Sequence, residues 1–138
     1  MDERSAKCVM VIDEQLPVGL AVNTAAVLAL TLGSRVEALL GPDVLDGSER
    51  VHVGITTLPI PILKADGQTL KRLWLQAAAC ADVFLVDFSD VAQTSLAYAD
   101  YTQRMAATLG DHLQYLGVAL YGKKETVNKL TGSLPLLR

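Results

Sequence analysis

Apolar and polar residues divide this 138-residue chain into short continuous apolar runs and longer periodic segments. Three runs are apolar and rich in branched residues, which is typical of strands covered on both faces. They are Lys7–Asp13, Val83–Phe88 and Leu116–Tyr121. Val51–Thr56 predicts a further strand. Thr57–Leu63 has prolines at alternate positions and predicts an edge strand or an extended connector, because proline donates no ladder hydrogen bond.

The longer segments predict helices. Gly19–Leu32 is apolar on almost every face, which predicts a buried helix that opens at Gly19. Thr69–Ala81, Thr94–Leu109 and Lys123–Leu130 have helical spacing of apolar residues, and Gly41–Arg50 reads as a surface loop. The alternation of strands and helices predicts an α/β fold, a three-layer α/β/α sandwich around a mixed or parallel sheet.

Composition narrows the class of protein. A length of 138 residues fits a single α/β domain over 1–138, and 51% apolar with 20% charged residues is a globular composition. The formal net charge of −3 argues against broad nucleic-acid binding. The charged N-terminus argues against a signal peptide, and the polar interruptions of Leu16–Leu32 argue against a membrane span. We therefore expect a cytoplasmic protein.

The cysteines and histidines give no metal spacing. Cys8 and Cys80 sit singly in apolar segments and are predicted to be buried thiols in a reducing compartment. His52 and His112 are far apart in sequence and match no ligand motif. We expect neither a metal nor a cofactor.

The junction between the first strand and the first helix is the first candidate site. Ligands in open α/β sheets bind outside the carboxyl ends of strands, and Asp13, Glu14 and Gly19 lie at this point. Asn23, inside an otherwise apolar helix, either satisfies backbone or lines a site. Asp87, near the end of Val83–Phe88, either caps a turn or shares a cleft with Asp13 as an acid–base pair. For Asp13 and Glu14, a solvated loop with a helix cap remains the structural alternative.

A second candidate lies at Gly122, Lys123 and Lys124. Two lysines in the first turn of the last predicted helix oppose its dipole, with Glu125 as an offset. Either the position of these lysines has no functional role, or the lysines and the helix N-terminus form an anion site.

The order of elements resembles that of type-two peptidyl-tRNA hydrolases. The similar segments are KCVMVID with GLAVNTAAVLA, and LGVALYGKKETVNKLTGSLPLL. Nearly the whole chain resembles a bacterial family called domain of unknown function two thousand, especially in DEQLPVGLAVNTAAVLAL and ALYGKKETVNKLTG. The resemblance implies four mixed strands between helical layers, with an antiparallel last strand that would separate Lys123 and Lys124 from Asp13 and Asp87.

The hydrolase resemblance does not transfer activity directly. Its catalytic lysine corresponds to Leu20 here, and its glutamine and histidine fall near Thr24 and Val27, while its aspartate is retained as Asp87. The helix Thr94–Leu109 is an insertion that would cover the cleft as a lid.

Three functional hypotheses follow. The first is a regulatory domain that binds a small molecule or an anion around Gly19, Leu20 and Asn23. The second is a divergent hydrolase that uses Asp13, Asn23 and Asp87. The third is an oligomeric module, because the apolar excess and the prolines of TLPIPIL suit a homodimer surface.

Overall fold

The computed structural model describes residues 5–138, so most of the charged N-terminus, residues 1–4, lies outside the described part. The strands are β1 (Ala6–Asp13), β2 (Val44–Leu45), β3 (Val51–His52), β4 (Ile62–Ala65), β5 (Val83–Ser89) and β6 (Tyr115–Lys123). The helices are α1 (Val18–Arg35), α2 (Gly67–Ala78), α3 (Asp90–Thr94), α4 (Tyr98–Ala106) and α5 (Lys124–Thr131), with a 3-10 turn at Gly110–His112.

Four strands form a mixed sheet in the order β4-β1-β6-β5. β4 runs parallel to β1, and β6 runs antiparallel to both β1 and β5. The four mixed strands that the family resemblance implied are confirmed. β1 and β6 are central. β5 is an edge strand, and its first five residues are only half-buried, so it is less buried than its apolar run predicted.

Alternate residues of β1 face two separate cores. Val9 and Val11 pack with Leu70 and Leu73 of α2 and with Val127 of α5. Cys8, Met10 and Ile12 pack on the other face of the sheet, with a core that includes Ala21, Leu28 and Leu32 of α1. The alternation follows from the pleat of a strand, which sends successive side chains to opposite faces.

Helix α1 is not buried all round, so the prediction for Gly19–Leu32 is wrong on this point. It begins at Val18, and its buried residues form one stripe of Ala21, Thr24, Leu28 and Leu32. Asn23 is exposed. The sheet covers only one side of the helix, and none of the described elements covers the opposite side.

Close packing of α1 on the sheet depends on Gly117 in β6. A Cβ atom at Gly117 would lie 2.8 Å from Cγ2 of Thr24 and 2.9 Å from Cδ1 of Ile12. Thr24 is fully buried, and its hydroxyl donates to the Leu20 carbonyl oxygen at 2.8 Å. The glycine therefore makes room for a polar side chain whose hydrogen bond is local.

The segment predicted as the loop Gly41–Arg50 and the strand Val51–Thr56 is a projecting hairpin. Its two short strands, β2 and β3, pair antiparallel with each other and lie outside the main sheet. Of the predicted strand Val51–Thr56, only Val51 and His52 form a strand, and Thr56 makes an isolated bridge with Leu40. The main sheet instead contains β4 as an edge strand, and β4 begins inside the predicted segment Thr57–Leu63, directly after Pro61.

The predicted helix Thr94–Leu109 is two helices. α3 ends at Thr94, and α4 begins at Tyr98 after the extended residues Ser95 and Ala97. The break turns α4 back toward β5, and Arg104 of α4 donates to the Val91 carbonyl oxygen of α3 at 3.3 Å. An apolar stripe at helical spacing does not reveal such a break, because both pieces keep the same period.

The two cysteines differ in environment. Cys8 is fully buried, and burial raises the pKa of its thiol to about 11. Cys80 is half-buried, with its Sγ 3.3 Å from the Gln76 carbonyl oxygen. The prediction of a buried thiol is confirmed for Cys8 and is too strong for Cys80.

By length and composition alone, α1 is the one helix among the described residues that meets the requirements of a membrane span. Core helices and signal sequences meet the same requirements. In this fold, α1 holds Leu28 and Leu32 against the sheet.

Candidate functional site

Asp87 lies on the face of the sheet that α2 covers. Its Cα partner in the ladder is Val118, which belongs to the core beneath α2 and α5. Because directly paired residues share a face, the Asp87 carboxylate points toward α2. The edge position of β5 leaves this side chain half-buried.

An aromatic pair contacts the carboxylate. The indole N–H of Trp74 in α2 donates to Oδ2 of Asp87 at 2.9 Å. The Trp74 ring stacks on Tyr115 of β6, with ring centroids 5.8 Å apart and an interplanar angle of 6°. The hydrogen bond and the stacking fix the orientation of the indole beside Asp87.

A cavity of about 360 Å³ opens on Asp87 and these two rings. Its apolar walls also include Leu75, Met105 and Leu113. Lys71 and Asp111 lie in its lining, where Nζ of Lys71 donates to the Asp111 carbonyl oxygen at 3.1 Å. A volume of this size, mostly apolar with a few polar groups, is typical of a site for a small organic molecule.

A second cavity, of about 310 Å³, also has Asp87 in its lining. It lies between α1 and the α3–α4 segment, and its residues include Val27, Thr31, Tyr98 and Tyr101. The Tyr98 and Tyr101 rings meet edge to face, with centroids 5.4 Å apart. Asp87 is thus reached from both sides of the edge strand.

The negative charge of Asp87 acts on the neighbouring phenols. Burial, and secondarily the charge of Asp87, raises the pKa of Tyr115 to about 12. Burial, then Asp87, then Tyr98 raise the pKa of Tyr101. Both phenols therefore remain neutral near pH 7.

Asp87 has no cationic partner among residues 5–138. The close contacts between basic and acidic side chains in that range are Lys123–Glu125 and His52–Asp46, both on the surface. A carboxylate that receives one indole N–H has acceptor capacity left for a ligand, since each ionised carboxylate accepts several hydrogen bonds.

Asp13 lies apart from Asp87. β6 separates their strands, which puts them roughly 10 Å apart across the sheet. Neither cavity that Asp87 lines includes Asp13. Oδ1 of Asp13 instead accepts the Gln15 N–H at 2.9 Å, while the exposed Glu14 donates its backbone N–H to the Ala65 carbonyl oxygen. The structure thus gives Asp13 a turn-forming contact.

The residues predicted at the start of α1 are placed in different surroundings. Gly19 and Asn23 are exposed, whereas Leu20 is half-buried against the core on the α1 face. No side chain caps this helix end, which follows Pro17. None of Gly19, Leu20 and Asn23 lines either cavity at Asp87.

Gly122, Lys123 and Lys124 lie near the opposite end of the sheet from Asp13. The antiparallel pairing places Lys123 beside Ala6, at the start of β1. Gly122 is buried in β6 against the Asp82 carbonyl oxygen, where a Cβ atom would come within 2.2 Å. The Lys124 N–H donates to the Ser5 carbonyl oxygen, and Lys123 faces Glu125 at 3.9 Å. These lysines form no common site with Asp87.

Metal ligands do not cluster in the described chain. Within residues 5–138, no three side chains of His, Cys, Asp and Glu lie close enough together to hold an ion. His52 pairs with Asp46, its Nε2 lying 2.8 Å from Oδ2.

Sequence reasoning identified Asp87 but missed the aromatic residues around it. Trp74 lies in the predicted helix Thr69–Ala81, where its spacing alone indicates a core position, and Tyr115 lies just outside the predicted strand Leu116–Tyr121. The available signal was the chain's single tryptophan, whose indole N–H needs a partner when it is partly buried. The partner itself is 13 residues away and is set by the packing of α2 on β5.

Comparison with known proteins gives the same picture of the fold. A solved structure described as a protein of unknown function from Agrobacterium tumefaciens strain C58 is similar, with a TM-score of 0.86 and 19% sequence identity. The alignment covers 99% of this chain and 98% of that one, and at this identity it shows the fold alone. No curated protein matches the chain. The family model described as protein of unknown function (DUF2000) matches residues 6–138, and the chain therefore belongs to that family.

Proposed function

We propose that this protein is a small-molecule-binding domain whose ligand carries a protonated amine on an apolar, aromatic-sized body. The observation that supports this most strongly is the half-buried Asp87 carboxylate, which has no cationic partner among the described residues and faces a 360 Å³ cavity with aromatic walls. The carboxylate at the edge of the Trp74 indole binds an organic cation by charge and by a charge-assisted hydrogen bond, and the apolar walls accommodate the body of the ligand.

The lining charges favour a cation over an anion. Asp87 and Asp111 outnumber the one lysine, Lys71, and the Lys71 ammonium already donates to a backbone carbonyl. An anionic group at Asp87 would meet an uncompensated like charge. The cation hypothesis sharpens the prediction of a small-molecule ligand and moves its site from Gly19–Asn23 to Asp87.

Trp74 makes the proposal directly testable, because it is the only tryptophan in the chain and lies in the site. The probes are phenethylamine, which is protonated at pH 7, and 3-phenylpropionate, a carboxylate of similar size. Titration of Trp74 fluorescence should give saturable binding of the amine at least tenfold tighter than that of the carboxylate. The factor reflects a charge-assisted hydrogen bond of about 1.5–3 kcal/mol.

Asp87→Asn keeps an oxygen acceptor for the indole and removes the charge. We expect this variant to lose the preference for the amine, whereas Asp100→Asn, on α4 outside the cavity lining, keeps it. Circular dichroism checks that both variants fold. Equal responses to the two probes, or an unchanged preference in Asp87→Asn, would refute the cation site.

We further propose that the fold is a three-layer sandwich. α1 on one face of the sheet and α2 with α5 on the other support a three-layer α/β/α sandwich similar to type-two peptidyl-tRNA hydrolases. Leu20 at the position of their lysine supports loss of that activity, since its side chain neither binds phosphate nor polarises a carbonyl. Peptidyl-tRNA cleavage that is abolished by Asp87→Ala would contradict this.

The divergent-hydrolase alternative requires Asp13, Asn23 and Asp87 in one cleft. Neither cavity at Asp87 includes Asp13 or Asn23. No contact among the three supports an acid–base pair, so we retain ligand binding as the proposed function.

A further inference from the structure

The outer face of α1 carries no charge, and no element among residues 5–138 covers it. None of residues 18–34 is Asp, Glu, Lys, Arg or His. Val18, Val22 and Leu30 are 82%, 63% and 76% exposed, and the exposed Ala26 lies between them on the same face. A surface helix normally opposes its buried stripe with charged residues, and α1 does not.

A second apolar surface projects beside it. The arm, residues 40–56, contains the β2–β3 hairpin and carries six large aliphatic side chains that are each more than half exposed. They are Leu40, Val44, Leu45, Val51, Val53 and Ile55. The base of the arm adjoins the C-terminal part of α1, where Leu40 approaches Gly33. The arm and the outer face of α1 therefore adjoin at Leu40.

The arm is held in shape by its own contacts. At its tip, Oδ1 of Asp46 accepts the N–H groups of Ser48 and Arg50, and Oδ2 pairs with His52. Near its base, Oδ1 of Asp43 accepts the Gly54 N–H at 2.9 Å. Gly54 packs so closely on Gly41 that a Cβ atom would lie 1.9 Å from the Gly41 carbonyl oxygen. A preorganised arm loses little conformational entropy on binding.

The exposed apolar area is close to what a stable dimer requires. Alternation along the hairpin puts Leu45, Val51, Val53 and Ile55 on one side of the arm and Val44 on the other, because the paired residues Leu45 and Val51 share a face. Those four side chains and the three of the helix face present roughly 700 Å² of apolar surface, close to the ~800 Å² that each partner contributes to a standard interface. Monomeric proteins rarely leave an apolar patch of this size in water. The arm and the outer face of α1 both expose aliphatic side chains. The arm of one copy can therefore pack on the helix face of another.

We propose that two copies of this chain form a symmetric dimer in which the arm of each packs on the outer face of α1 of the other. A two-fold axis makes both contacts at once, since each copy supplies one arm and one helix face. A membrane surface is the less suitable occupant, because helices that lie on membranes carry Lys and Arg on their polar face and α1 has none before Arg35.

Sedimentation equilibrium of the full chain tests the dimer. We expect a mass of twice 14.8 kDa at micromolar concentration. Leu30→Glu on the helix face and Val53→Lys on the arm should each raise the dissociation constant at least 100-fold. Leu109→Glu is the matched control, because Leu109 is 69% exposed and lies outside both surfaces. All three positions are exposed in one chain, so the variants should fold, which circular dichroism checks.

Mixing the Leu30→Glu and Val53→Lys variants tests whether the arm of one copy packs on α1 of the other. In a mixed dimer, the lysine introduced on one arm would meet the glutamate introduced on the partner's helix in one contact, and the native Val53 and Leu30 would meet in the other. We expect the mixture to form dimers while each variant alone stays monomeric. A monomeric wild-type chain, a mixture that remains monomeric, or wild-type sedimentation with anionic vesicles that Leu30→Glu abolishes would each overturn the proposal. None of these outcomes depends on ligand binding at Asp87.

Discussion

Helices α1 and α2 cover opposite faces of one sheet. Their sequences differ in how clearly they mark the side of the helix that is buried. α2 begins at a cap, with the Asp66 carboxylate accepting the Thr69 N–H, and buries Leu70, Leu73 and Ala77 on one stripe. α1 begins without a side-chain cap and has apolar residues on both its buried and its exposed side. An amphipathic helix thus specifies its own buried face, whereas a uniformly apolar one leaves that choice to the sheet.

Truncation of two leucines of α1 tests whether only one side of this helix is packed. Leu28 is fully buried and Leu30 is 76% exposed. We expect Leu28→Ala to reduce the free energy of unfolding by about 3 kcal/mol, through lost burial and a cavity. Leu30→Ala should reduce it by less than ~0.5 kcal/mol in urea melts of dilute, monomeric protein. Equal losses would show that both sides of α1 are packed within one chain.

The close approach of α1 to the sheet gives the next largest effect. Gly117→Ala should reduce the free energy of unfolding by about 2 kcal/mol, because the new methyl group overlaps Thr24 and Ile12. Gly19→Ala is the control, since nothing lies within 4 Å of its added Cβ. Alanine also has the higher helix propensity, so this control should be neutral or stabilising. A neutral Gly117→Ala would show that α1 shifts without loss of packing.

On the face of the sheet covered by α2, Tyr115 should make the stability of the fold depend on pH in the alkaline range. Its pKa is about 12 in the fold and near 10 when unfolded, so the unfolded state loses the phenol proton first. Stability should therefore fall as the pH rises from about 10 to about 12. Tyr115→Phe should weaken this fall, whereas Tyr98→Phe, at an 80% exposed position, should not. The fall in stability is measured from the midpoints of urea unfolding between pH 9 and 11.5.

The smallest effect concerns the α2 cap. The hydrogen bonds from Thr69 lower the pKa of Asp66 below its usual 3.8. A depressed carboxyl pKa stabilises the fold above the usual value, and this contribution disappears as the pH falls through the folded-state pKa. Asp66→Asn should thus lower the thermal midpoint slightly at pH 6 and by progressively less as the pH falls below 3.8. A constant difference across this pH range would contradict a charge-dependent cap.

The fold was largely predictable because its strands and α2 have strong local patterns. β1, β5 and β6 were located within one or two residues from continuous apolar runs, and α2 from its stripe. The arm was missed because its two-residue strands fall below any periodic signal. The break between α3 and α4 was missed because both pieces keep one apolar period.

The candidate site was predicted only in part. Asp87 was identified as a polar residue near a strand end, but its partners Trp74, Tyr101 and Tyr115 come from three other elements. Pairing Asp87 with Asp13 assumed that strand ends meet, and the insertion of β6 between their strands separates them.

Local sequence patterns specify most of the helices and strands, because alternation and apolar runs act over a few residues. Which side of α1 is buried, where Asp87 points and what surrounds it depend on tertiary packing. Those features depend on strand order, on the pleat of β5 and on the approach of α2, which join residues distant in the chain. The same physical reason leaves the outer face of α1 uncovered: a four-stranded sheet covers only one side of an apolar helix.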